Sequence, residues 1–239
     1  MDTTDIAEDA KLDWIEGDMP YSTLFGDHFY CRSDGRAECG HVFLGANSLP
    51  GRWADGGDFA IGELGFGTGL NFCETLRTWR AARAAGAAPG RLVFTSFELY
   101  PMERAAVAKA LGRWPELTRE REDLLALWPE KPDADLTLTF EPDVTLRLVA
   151  GDALTRLSAR KDLFHAWYLD GFAPSRNPAM WSDALMAAVF DHTRPGGTFA
   201  TYAAAGFVRR NLIGAGFGVE RRPGFAGKRE MLSGVKPAG

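Results

Sequence analysis

The stretch that decides the fold runs from Gly62 to Phe72, GELGFGTGLNF. It overlaps the end of the apolar run FAIGEL (59–64), which reads as a short strand. It leads into LNFCETLRTWRAARAA (70–85), where Leu70, Phe72, Cys73, Leu76 and Trp79 fall near one face of a helix that Pro89-Gly90 ends. A strand, a glycine turn and a helix in that order let a ligand approach bare backbone, because glycine carries no Cβ. A phosphate-binding P-loop needs Gly-Lys-Ser/Thr, and here Gly69 is followed by Leu70. A dinucleotide fingerprint wants G-x-G-x-x-G, and here Gly65, Gly67 and Gly69 are one residue more tightly spaced. Glu63, just before the turn, suits a cationic or zwitterionic ligand and not a pyrophosphate. S-adenosylmethionine, with an ammonium, a sulfonium, two ribose hydroxyls and no phosphate, fits. The bland alternative is an ordinary tight strand–helix turn.

Outward from the loop, strand and helix alternate. Strands are expected at 91–99, 143–152, 165–172 and 196–203, and helices at 101–111 (opened by Pro101), near 181–192 and at 205–216. The last two strands, 218–222 and 230–236, leave no room for a helix between them and form a hairpin. The pattern predicts an α/β fold: a mostly parallel sheet with helices on both faces and an antiparallel strand at the C-terminal end. Residues 1–55 read as an N-terminal extension packed on a main domain of 56–239. Within the extension, strands are expected at 27–31 and 41–44 around the turn Ser33-Asp34-Gly35.

Composition narrows the function classes. A 46% hydrophobic content over 239 residues suits one globular domain with a substantial core. A net charge of −5 removes bulk attraction to nucleic acid, so any such binding needs a local basic patch. Three cysteines at irregular spacing make neither a disulfide framework nor a zinc site and fit reduced thiols in the cytosol. The four histidines lie far apart, and no metal site is expected. The acidic start, MDTTDIAEDAKLDW, does not read as a signal peptide, and no run of about 18 apolar residues predicts a membrane span.

Three further carboxylates end strands. Glu98 closes the second strand, where an acid accepts hydrogen bonds from ribose hydroxyls. Asp152, in AGDAL, either accepts from an adenine amino group or caps the helix that follows, and it can do both. Asp170, in YLDGFAPSRNPAMW (168–181), stands at the carboxyl edge where open α/β sheets bind ligands. An amine acceptor must be neutral to attack a methyl carbon, yet an alkylamine with a pKa near 10.4 is mostly protonated. Asp170 is placed to align the nitrogen and take up a proton, or it caps the turn behind it.

The segments GFGTGLNF, SFELYP, AWYLDGFAPSRNPAMW, RPGGTFATYAAAGFVRRNL and GFAGKREMLSGV, with the early GHVFLGANSL, resemble the methyltransferase domain of the MnmC/MnmD family over residues 25 to 236. The resemblance implies a class I, Rossmann-like methyltransferase. It implies that S-adenosylmethionine methylates the 5-aminomethyl group of the wobble uridine in the tRNA anticodon loop. Position by position, it implies that Glu63, Gly65, Phe66, Gly67, Thr68, Gly69 and Asn71 line the cofactor, with Glu98 at the ribose and Asp152 and Ala153 at the adenine. Asp170 would face the amine, with Phe172 and Pro174 shaping its pocket. The amine is expected from a separate FAD-dependent oxidase, another modification route, or a domain outside this sequence. Leu99 departs from a lysine expected there, and Arg176 replaces a frequent lysine. A small-molecule amine as acceptor is the competing reading, and a cytoplasmic location is expected.

Basic residues gather near the C-terminus: Arg209, Arg210, Arg221, Arg222, Lys228 and Arg229. With Arg176, the residues Arg209, Arg210, Lys228 and Arg229 are the expected tRNA phosphate contacts. Phe207 and Phe225 offer stacking surfaces for an unstacked base, or else belong to the core.

Overall fold

The computed structural model describes residues 12–54 and 56–238; residues 1–11, the start of the expected extension and of its acidic stretch, lie outside the described residues. The chain opens with β1 (Leu12–Ile15), β2 (Met19–Ser22) and β3 (Asp27–His28), a small antiparallel sheet. A short helix α1 (Gly35–Glu38), capped by the Asp34 carboxylate accepting from the Ala37 N–H, runs on into a π-helical turn, Cys39–Gly45. Here the sequence reading is corrected. The expected strand 41–44 is that π-helical turn, and the expected strand 27–31 is two residues long. His-Val-Phe-Leu is apolar enough for a strand, but the turn buries Cys39, Val42, Phe43 and Leu44 together on one side, which alternation would not do.

The large sheet begins with β4 (Phe59–Leu64), followed by α2 (Leu70–Ala84), β5 (Leu92–Glu98), α3 (Arg104–Leu111), α4 (Thr118–Leu127), β6 (Leu136–Phe140) and β7 (Val144–Ala150). It continues with α5 (Ala153–Ser158), β8 (Phe164–Leu169), α6 (Asp183–Asp191), β9 (Thr193–Thr201), α7 (Gly206–Ala215), β10 (Gly218–Pro223) and β11 (Glu230–Val235). The strand order is β10-β11-β9-β8-β4-β5-β7-β6. The strands β9, β8, β4, β5 and β7 run parallel, while β11 pairs antiparallel with both β9 and β10. A second antiparallel strand, β6 on β7, had not been anticipated. From β4 the chain builds outward through β5 and β7, then crosses back to β8 and β9. The order therefore reverses between β4 and β8, which is where such sheets bind ligands.

Side-chain alternation divides the core into two layers. Tyr168 and Phe94 point toward α2 with Phe72, Leu76 and Trp79, whereas Trp167, Leu169 and Phe97 point toward α5, α6 and α7 with Leu157, Leu185, Val189 and Leu212. The N-terminal residues join the first layer: Phe43 stacks on Tyr168 at 5.1 Å and Trp53 meets Trp79 edge-on at 5.1 Å. Among the described residues no helix is long and apolar enough to cross a membrane.

Candidate active site

The carboxyl ends of β8, β4, β5 and β7 open into one cavity of about 770 Å³. Its floor is the glycine turn. Gly65, Gly67 and Gly69 all take positive φ (89°, 52° and 79°), a region that residues with a Cβ rarely adopt. Gly65 has a second reason to lack a side chain, since a Cβ there would lie 2.4 Å from the Asp170 carbonyl oxygen. The turn thus lets the ends of β4 and β8 close on each other. Glu98 holds its shape: Oε2 accepts from the Gly67 N–H at 2.9 Å and Oε1 from the Tyr100 N–H at 2.8 Å. Each oxygen keeps a lone pair for a ligand hydroxyl.

Of the residues expected at the cofactor, Gly65, Phe66, Gly67, Thr68, Asn71, Glu98, Asp152 and Ala153 line this cavity. Asp152 demonstrably caps α5, its Oδ1 accepting from the Thr155 N–H at 2.9 Å and the Thr155 hydroxyl at 2.6 Å. Those bonds hold its carboxyl below the usual carboxylate range. Gly69 is the left-handed N-cap of α2 and lies behind the wall.

Glu63 requires a correction. It is fully buried beneath the turn and does not line the cavity. Its carboxyl accepts from the Ser96 hydroxyl at 2.6 Å and from the Asn71 amide at 3.0 Å, and burial pushes it up to about 8. The same Asn71 Nδ2 donates to Asp170 Oδ2 at 2.6 Å. Glu63 therefore acts through Asn71, whose two amide protons are divided between a hidden carboxyl and one that lines the cavity.

Asp170 stands where the cofactor wall meets a second, aromatic half of the cavity. There Phe172 is stacked on Phe25 at 4.8 Å and met edge-on by Phe29 at 5.0 Å. Asp27 accepts from the Ala173 N–H at 2.8 Å and so fixes the N-terminal segment over this half. Pro174 lies outside the lining, whereas Arg176 is exposed at the rim. Burial, with the Glu38 charge adding to it, pushes the Asp170 carboxyl up to about 7; the Asn71 hydrogen bond and the Lys228 charge pull against that rise. A carboxylate in this range releases and takes up protons near neutrality. If Asp170 receives the acceptor's proton, it must be ionised to work. Log kcat/KM is then expected to rise with pH and to bend near pH 7, and the bend should disappear in Asp170→Asn. A profile flat through pH 7 would exclude the role.

The expected phosphate contacts divide. Arg210 and Arg229 are exposed, and Arg209 is half-buried on α7. Lys228 is exposed as well, its side chain 40% accessible. It lines the cavity, with Nζ 2.7 Å from Glu38 Oε1 and 4.1 Å from the centre of the Tyr202 ring. The ion pair gives Lys228 a partner within the protein besides the phosphate contact expected of it. Phe207 and Phe225 are partly buried against the core, and each keeps part of its surface accessible. Sequence reasoning missed Glu38 and Tyr202 altogether. Nothing in RAECG signals a residue whose partner is 190 positions away.

The chemistry of this cavity fits S-adenosylmethionine. Its floor is a backbone cradle that a Cβ would fill at Gly65, with no lysine of the P-loop kind. Acids stand at three strand ends, and an apolar flank formed by Leu99, Ala153 and Leu154 suits an adenine. Comparison with known proteins agrees. Residues 115–237 match the model of a family described as S-adenosyl-L-methionine-dependent methyltransferase. The chain is 44% identical over 230 residues to the tRNA 5-methylaminomethyl-2-thiouridine biosynthesis bifunctional protein MnmC of Chromohalobacter salexigens, covering 94% of this chain and 32% of that protein. The bifunctional MnmC of Caulobacter vibrioides is 42% identical over 229 residues, covering 95% of this chain and 38% of that protein. The chain thus spans about a third of the length of the curated relatives it matches. The crystal structure of MNMC2 from Aquifex aeolicus superposes with a TM-score of 0.76 at 19% identity, covering 92% of this chain and 68% of that one, a likeness of fold. A glycine cradle between β4 and β8, a mostly parallel sheet with one inserted antiparallel strand and the family match agree: the chain belongs to this family of S-adenosyl-L-methionine-dependent methyltransferases.

Proposed function

We propose that this chain methylates the 5-aminomethyl group of the wobble uridine in the tRNA anticodon loop, thiolated at position 2 or not, to give the 5-methylaminomethyl nucleoside. The observation that carries the reading is Asp170. Its half-buried carboxylate, fixed by Asn71, lies between the cofactor half and the aromatic half of one cavity. The names of the MnmC relatives supply the nucleoside class.

When bound, S-adenosylmethionine supplies an electrophilic methyl: the acceptor nitrogen's lone pair forms the new N–C bond while the C–S pair stays on sulfur. Asp170 aligns that nitrogen and takes the proton that the acceptor's ammonium form must lose. Burial favours the neutral amine, and most of the acceleration comes from alignment. Phe172, held by Phe25 and Phe29, walls the side on which the base enters. A loop base pays only part of the unstacking cost of a few kcal/mol. Arg176 at the rim and the exposed Arg210 and Arg229, with the half-buried Arg209, are the proposed phosphate contacts. A cytoplasmic location and a separate FAD-dependent oxidase supplying the amine belong to the same reading.

The test is nucleoside mass spectrometry of tRNA bearing 5-aminomethyluridine after incubation with the protein and methyl-labelled S-adenosylmethionine. Label in 5-methylaminomethyluridine supports the reading; label only in small amines overturns it. Reversing the charges of Arg210 and Arg229 is expected to lower tRNA affinity about 10-fold near 0.1 M salt and to flatten the salt dependence by one to two contacts, roughly 0.7–0.9 in log–log slope each. Unchanged binding would move the footprint to another face.

A further inference from the structure

Glu38 and Lys228 stand 190 positions apart in the sequence yet meet at the cavity wall. Glu38 ends α1 with its side chain only 10% exposed, and among the described residues Lys228 is its only ion-pair partner. Lys228 comes from the turn between β10 and β11 and rests on the face of Tyr202, a cation–π contact at 4.1 Å. Tyr202 in turn donates its hydroxyl proton to the carbonyl of Gly171, beside Asp170, at 2.7 Å. A lysine pulled out to reach a phosphate would leave a buried carboxylate unpaired, an arrangement that proteins avoid.

We propose that Lys228 is a positioning residue for methyl transfer: clamped between Glu38 and the Tyr202 ring, its ammonium cancels the Glu38 charge and leaves Asp170 as the carboxylate that receives the acceptor's proton. The inference rests on the reading of Asp170 given above. The groups facing Asp170 are few. Glu38 comes from α1 and Cys39 from the turn after it, Glu63 from β4, Asn71 from α2, Tyr202 from beyond β9, and Lys228 from the hairpin turn. Buried Cys39 and Tyr202 are both pushed well above their ordinary values and stay neutral. Glu63 is spoken for by Ser96 and Asn71. The balance at Asp170 is therefore struck between Glu38, which raises its carboxyl, and Lys228, which lowers it.

The signs of three variants follow. Lys228→Met removes the cation and leaves Glu38, so the acid limb of kcat/KM moves to higher pH. Glu38→Gln removes the opposing charge, so the limb moves to lower pH. The double variant removes both and returns the limb to the wild-type position or slightly below it, because the Glu38 influence is the larger of the two. A residue that bound phosphate would behave differently. Lys228→Met would raise KM for tRNA at every pH in a salt-dependent way, the limb would not move, and Glu38→Gln would rescue nothing; that result overturns the proposal. A structural role alone would lower the rate equally across the pH range and also overturn it.

The same series read without turnover, from the 13C carboxyl signal of Asp170 assigned with Asp170→Asn, separates the two hypotheses. Opposite shifts of that titration in the two single variants, in a protein that does not methylate aminomethyluridine tRNA, would support the charge balance and sink the proposed substrate. Methylation of that tRNA with an Asp170 titration indifferent to both variants would do the reverse.

Discussion

Replacing Asp170 by alanine is expected to lower kcat for methyl transfer by about 10²–10⁴, the usual worth of a positioned proton acceptor, while calorimetry still shows S-adenosylmethionine binding. The separation of effects follows from where Asp170 sits. The cradle proposed for the donor is made by backbone at Gly65 and Gly67 and by Glu98. Asp170 belongs to the wall shared with the aromatic half. Asp170→Asn refines the result. Asparagine preserves the shape and the capacity to accept a hydrogen bond from the acceptor nitrogen, but takes no proton. A rate near wild type for the asparagine variant would mean that alignment alone suffices; a loss equal to that of alanine assigns the effect to proton transfer. Wild-type rates in both would remove Asp170 from the reaction.

The second large effect is expected at Gly65. Alanine there must hold a φ of +89° and place its Cβ 2.4 Å from the Asp170 carbonyl oxygen. The backbone strain costs about 1–3 kcal/mol, and parting the ends of β4 and β8 to relieve the contact adds a similar overpacking cost of about 1–3 kcal/mol. For a chain of this size the melting temperature should fall by roughly 10 °C, and cofactor affinity should drop with it, because the displaced atoms are the cradle. Gly86 is the control. It also has positive φ (98°) but faces open space, so Gly86→Ala should show the strain without the loss of affinity. A Gly65→Ala protein that melts and binds like wild type would contradict the close approach of the two strands.

The parts of this fold that were legible in the sequence are those set by local pattern. The strands β4, β5, β7 and β8, the glycine turn and α2 follow from apolar runs punctuated by glycine and acid. The inserted β11 followed from a pair of strands too close for a crossover helix. The π-helical turn at Cys39–Gly45 was misread because four apolar residues in a row fit either a strand or a buried turn, and only packing against Tyr168 decides between them. β6 was overlooked although LTLTF alternates cleanly, and α4 because TREREDLLAL shows little apolar periodicity beyond Leu124. At the site, the strand-end acids were legible because each ends its own strand. The Glu38–Lys228 pair was not, because nothing local ties a residue of α1 to one in the turn between β10 and β11. Lys228 is one of several surface cations, and only the folded hairpin brings its ammonium to Glu38.

The order of the strands has a metric consequence. Asp170, Gly65, Glu98 and Asp152 follow β8, β4, β5 and β7, four neighbours in an unbroken row. Neighbouring strands lie about 4.8 Å apart, so the row spans roughly 14 Å from Asp170, proposed to meet the acceptor, to Asp152, proposed to meet the donor's far end. The sheet is thereby a gauge with fixed graduations. On the proposed site a shorter donor would leave one end of it untouched and a longer one would overshoot, so length alone would discriminate among methyl sources.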